Sequence, residues 1–127
     1  MDKISLVNKL RIMSNKIIED YQRVNLIMLL GNTFEQRTTS FDYIISANWL
    51  NEYDQEKGMN LVLDYLYDNL TGEDIEHISR VTIIHTQDPI VQNITSTIGM
   101  KGGFYKIIDC QFGNLTIPYA IIFESHM

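Results

Sequence analysis

From Lys3 onward, apolar residues return at steps of three and four: Val7, Leu10, Met13 (or Ser14), Ile17, Tyr21, Val24 and Met28. That spacing lines up one side of an α-helix and predicts a long amphipathic first element. Its opposite side carries Lys9, Lys16, Glu19, Asp20 and Arg23. Gly31-Asn32 fits a stop, because both residues tolerate the left-handed backbone that ends helices. Leu26 to Leu30 is apolar throughout. Periodicity alone leaves that run open between continued helix and buried strand. The polar stretch Asn32 to Ser40 reads as a loop.

Phe41 to Ala47 alternates, with Phe41, Tyr43 and Ile45 on one face, and predicts a strand. A helix follows over roughly Asp54 to Leu70. Met59, Val62, Leu63, Leu66 and Leu70 form its buried side, and Glu56, Asn60, Asp64 and Asp68 make one polar ridge at intervals of four. Thr71 then suits an N-cap with Asp74 as its capping-box partner, while Leu70 and Ile75 sit where a hydrophobic staple forms. Val81 to Thr86 is a β-branched strand. Asp88-Pro89 opens a helix lined by Ile90 or Val91, Ile94 and Ile98, which Gly99 can close. Gly102-Gly103 precedes a third strand, Phe104 to Cys110. Gly113-Asn114 fits a two-residue hairpin turn. The returning strand, Ile117 to Phe123, places Ile117, Tyr119, Ile121 and Phe123 on one face, and Pro118 favours the sheet edge for it.

The expected fold is α/β (α+β), a single domain over residues 1–127. A small mixed sheet of about four strands would carry a parallel crossover in its middle and an antiparallel hairpin at its end. The long first helix and two or three shorter ones would cover at least one face. A chain of 127 residues is an ordinary domain size. Its single cysteine, Cys110, forms no internal disulfide. Met1-Asp2-Lys3 lacks the apolar core of a secretory signal. The run Leu26 to Leu30 falls far short of the ~20 residues that span a bilayer. A cytoplasmic protein without a membrane partner is therefore expected.

Charge changes the picture most. Between Asp42 and Glu76 lie nine carboxylates and one cation, Lys57, so this stretch is more negative than the whole chain, whose net charge is −6. A field of one sign attracts basic partners and repels nucleic acid. With a pI near 4.9, direct nucleic-acid binding is not expected, since it rests on phosphate neutralisation by Lys and Arg. Glu52, Asp54, Glu56, Asp64, Tyr65, Tyr67 and Asp68 form the candidate partner-binding set. The rings supply contact area and the carboxylates supply steering. Each of these acids also has a plain reading as solvated helix surface or cap.

Other candidate chemistry is weaker. His77, His85 and His126 have no metal-ligand spacing, and no cofactor or metal is expected. His85, on the Val81–Ile83 face, reads as a core-edge histidine; its alternative is a catalytic base with Asp88, although Asp88 is already a helix cap. Cys110 has no cation or helix N-terminus to lower its pKa and reads as buried and inert. Met100-Lys101-Gly102-Gly103 lacks the phosphate-loop pattern, and Trp49 reads as core-edge packing.

Ser46-Ala47-Asn48-Trp49-Leu50, Ser79-Arg80-Val81 and Asp88-Pro89-Ile90-Val91-Gln92 carry a family resemblance. Through them the chain resembles small acidic bacterial immunity proteins, made beside polymorphic toxins such as those of contact-dependent growth inhibition. The resemblance implies a cytoplasmic protein that binds its cognate toxin domain, commonly a basic nuclease, and blocks it. Such proteins share no single fold, so no residue's role carries over. Two further readings stand beside this one. One is a small α/β enzyme using His85 with Asp88 or Cys110, and the other is an adaptor that oligomerises through its first helix.

Overall fold

The first helix stops ten residues before Gly31. In the computed structural model, which describes residues 3–127, α1 spans Lys3–Tyr21. Met1 and Asp2, part of the start read above for a signal, lie outside the described residues. Leu6, Val7, Leu10, Met13, Ser14 and Ile17 form its buried stripe. The helix ends on Gln22, which takes the left-handed conformation at φ 72 and donates its N–H to the Ile18 carbonyl. Gln lacks the usual signature of that position, so the stop is not evident in the residue type.

The chain then enters β1, Leu26–Gly31, which decides the open choice in favour of a strand. β1 is the middle strand of five, one more than expected, in the order β3-β2-β1-β5-β4. β2 spans Phe41–Ser46, β3 Ile78–Ile83, β4 Tyr105–Phe112 and β5 Leu115–Ser125. A strand buried on both faces reads as an unbroken apolar run, which explains why Leu26 to Leu30 shows no period. Gly31 serves close packing at the end of β1 and stops no helix. A Cβ there would meet the Tyr119 ring at 2.9 Å and the Thr38 hydroxyl at 3.0 Å.

β1 pairs antiparallel with β2 and β5, β4 pairs antiparallel with β5, and β2 pairs parallel with β3. The β2–β3 crossover holds α2 (Asn48–Asn51), α3 (Gln55–Asn69) and α4 (Gly72–Ile75). Asp54 caps α3 through the Lys57 N–H, and Thr71 and Asp74 close a full capping box on α4. α5 (Pro89–Thr97) follows β3, capped by Asp88, and ends on an extended Ile98, one residue before Gly99.

Both faces of the sheet are covered. α1 and α3 pack on Ile27, Leu29, Phe41, Tyr43, Ile45, Tyr119, Ile121 and Phe123. α5 packs on Leu26, Met28, Ile44, Ile107, Ala120 and Ile122. Each fully buried aliphatic or aromatic side chain contributes roughly 1.5–3 kcal/mol.

Three strand expectations need correction. β3 runs Ile78–Ile83, not Val81 to Thr86, because it aligns with Phe41–Ile45 of β2, and His85 falls beyond it. β5 is an inner strand, not an edge. Pro118 is accommodated because pairing with β1 stops at Ala120, leaving Pro118 with a neighbour on one side only. Ile117 also leaves the Tyr119–Phe123 face and joins the α5 side. The ladder omits the Asp109–Pro118 pair, and Asp109 turns left-handed at φ 51. That kink reverses the inward and outward faces of both strands. The hairpin turn at Gly113, φ 61, is as expected.

Candidate protein-binding surface

α1 and α3 lie side by side and antiparallel. Lys9 pairs with Asp74 at 2.6 Å, Lys16 Nζ donates to Asn69 Oδ1 at 2.9 Å, and the Tyr65 hydroxyl donates to Asp20. The partner number falls as the α1 number rises. α1 thus sets Asp20 beside Tyr65, in the second half of α3, and Lys16 beside Asn69 at its end.

Of the nine carboxylates between Asp42 and Glu76, two are held in ion pairs. Asp42 accepts from Arg80 at 3.0 Å and from the Thr82 hydroxyl, and Asp74 from Lys9. Burial works to raise the Asp74 carboxyl, but hydrogen bonds from Lys9 and Thr71 outweigh it and hold the group below its ordinary range. Glu52, Asp54, Glu56, Asp64, Asp68, Glu73 and Glu76 are exposed and make no ion pair among the described residues. Lys57 makes no ion pair either, its ammonium sitting 4.7 Å from the Tyr53 ring centre, although it stands among Asp54, Glu56 and Asp64.

The candidate set divides in space. Asp54, Glu56 and Asp64 line one shallow groove of about 500 Å³ with Tyr21, Asn60 and Leu61. Asp68 continues the exposed ridge beyond it, and Glu52 stands at the end of α2. Tyr65 is half-buried between the helices, edge-on to Tyr21, and burial together with the Asp20 carboxylate raises its phenol above the ordinary range. It clamps α1 to α3. Tyr67 points the other way, is 63% exposed, and borders a separate hollow against β3. Trp49 packs at the core edge as expected. It stacks on Tyr21 at 4.6 Å and donates its indole N–H to the Arg23 carbonyl.

Of the alternative catalytic groups, His85 and Asp88 share one turn, where the Asp88 N–H donates to the His85 carbonyl, and Cys110 lies apart. His85 is exposed, which corrects the core-edge reading, and its Nδ1 accepts the Gln87 N–H at 3.1 Å. Asp88 accepts the Ile90 N–H as a helix cap. Cys110 is half-buried, not fully, on β4. β4 lies at the far edge of the sheet from β3, four strand spacings or roughly 19 Å away. His85 borders a cleft of about 480 Å³ with Asn51, Asp54 and Thr82, which Cys110 does not line.

One polar pair escaped the sequence reading. Glu124 is 1% exposed and accepts from Gly102 N at 2.8 Å, and it contacts His126 Nε2 at 2.6 Å. His126 N–H in turn donates to the Asn25 carbonyl. The pair fastens the end of β5 to the loop before β4. A Glu inside an apolar run beside a His was its only visible signal.

Compared with protein-family models, curated proteins and solved structures, the chain matches none. Among the described residues no helix is long and apolar enough to cross a membrane.

Proposed function

We propose that this chain is a protein-binding module, an immunity protein that neutralises a cognate toxin domain of basic, nuclease type in the cytoplasm. The observation that carries this reading is the line of exposed carboxylates Glu56, Asp64 and Asp68 along α3, none of them in an ion pair among the described residues. Ordinary soluble surfaces intersperse the two signs. A surface of one sign costs self-repulsion in the free protein, and a cationic partner relieves it on binding. Such a surface also imitates the charge of a nuclease substrate.

The enzyme reading lacks a converging constellation, because His85 and Asp88 are each engaged by backbone N–H groups. The adaptor reading needs a free apolar stripe on α1, and Leu6, Leu10, Met13 and Ile17 are already packed on the protein's own sheet.

The test is the double change Asp64→Lys with Asp68→Lys. Both sites are exposed, so the monomer should keep its melting temperature. Affinity for the partner that co-purifies from the native host, expected near nanomolar, should fall by about a hundredfold, mostly through a slower association rate. Undiminished affinity at physiological salt would place the contact on another face.

A further inference from the structure

The sheet has two free edges, β3 and β4, and they are unlike. On β4 the left-handed Asp109 reverses the faces part-way along, and irregularity of that kind blunts an edge against further pairing. β3 shifts register once, at Ser79, and then holds a parallel register with β2 from Arg80 to Ile83. The Ile84 N–H donates to the Ile45 carbonyl at 3.0 Å. Along a strand, the N–H and C=O of one residue point to the same side and successive residues alternate. Arg80, Thr82 and Ile84 therefore turn their backbone toward β2. Val81 and Ile83 turn theirs outward, where the sheet ends.

The side chains of Val81 and Ile83 pack toward the core under α3. Beside them run two hollows that share Met59 and Val81. One, of about 480 Å³, reaches Ile83 and His85; the other, of about 320 Å³, reaches Leu63, Tyr67 and Ile78. Same-face side chains on a strand recur about every 7 Å, so hollows set along the strand match alternate side chains of an extended segment. An acid stands at one end: Asp54 lines the first hollow.

We infer that β3 receives an extended segment of the basic partner as an added strand, with apolar residues at alternate positions and lysine or arginine flanking them. The inference rests on the basic-partner reading above. Asp54 at the end of the groove, beside the exposed acids of α3, selects a cationic segment over a second copy of this chain, which would set like charges against each other.

The probe is the synthetic peptide Lys-Lys-Val-Thr-Val-Thr-Val-Lys-Lys, titrated into the intact protein and followed by anisotropy and amide exchange. Binding should slow exchange of the Val81 and Ile83 amides. The same peptide N-methylated on alternate residues should bind about tenfold or more weakly, because it cannot complete the ladder. Val81→Pro should have the same effect, since it deletes an outward N–H and spares the β2 ladder. Its fold is checked by circular dichroism, and Met59→Lys, which fills the shared hollow, is the second variant.

No binding at millimolar peptide, or equal binding of the N-methylated form, overturns the strand. Loss on Asp64→Lys with Asp68→Lys but not on Val81→Pro overturns it as well, while keeping the acidic face. Equal affinity for a glutamate-flanked peptide removes the basic partner and keeps the edge. Self-association abolished by Val81→Pro would make the occupant a second copy and overturn the assignment.

Discussion

Tyr43 is fully buried, and its hydroxyl finds no hydrogen-bond partner among the described residues. Burial pushes its phenol well above the ordinary range, so it stays neutral and still carries an unmet donor. Tyr43→Phe should therefore leave stability unchanged or raise it by about 1 kcal/mol in urea unfolding. Asp74 is the opposite case, a carboxyl held low by Lys9 and Thr71 against the effect of burial. A carboxyl depressed in the folded state stabilises above its unfolded value, near 3.9, and loses that contribution as pH falls through the folded value. The stability gap between the protein and Asp74→Asn should be full at pH 6 and shrink steadily below about pH 4. Thermal melts across that range would show it, and a gap constant down to pH 2 would mean that the Lys9 contact is not formed in solution. The capping role of Asp74 was visible in the order of residues. Its Lys9 partner was not, because that contact joins positions far apart in the chain.

At the scale of elements, the end of α1 offers a direct test. Gln22 holds φ 72, a conformation that costs a residue with a Cβ roughly 1 kcal/mol. Gln22→Gly should raise stability by about 0.5–1 kcal/mol, less the entropy glycine adds to the unfolded chain. A fall on chemical denaturation would mean that the Gln side chain contributes more than the backbone costs. The same residue explains an error of reading. Apolar spacing carried the expected helix past Tyr21, since Val24 and Met28 happen to continue the stripe, and nothing at Gln22 announces a stop. α3, α4 and α5 were legible because Asp54, Thr71 and Asp88 mark their starts by local chemistry. β1 was ambiguous because burial on both faces erases alternation, and the face reversal at Asp109 and Pro118 was hidden because it depends on which strands become neighbours.

At the scale of the molecule, the acidic stretch stays on the surface, with α1 bringing Lys9 but no arginine into an ion pair there. Sequence order exposed the ridge Glu56, Asp64 and Asp68, since helical spacing suffices for it. It could not show that Tyr65 turns inward to Asp20 while Tyr67 faces β3. The pairing order of the sheet bears on biosynthesis. β5 is the last of the strands to leave the ribosome, yet it lies between β1 and β4. Until it arrives, β1 waits with one flank bare, and the polypeptide before Leu115 cannot finish assembling. Nascent chains arrested before Leu115 should therefore remain protease-sensitive from β1 onward, and any premature stop that deletes β5 should remove the entire fold and not merely trim its tail.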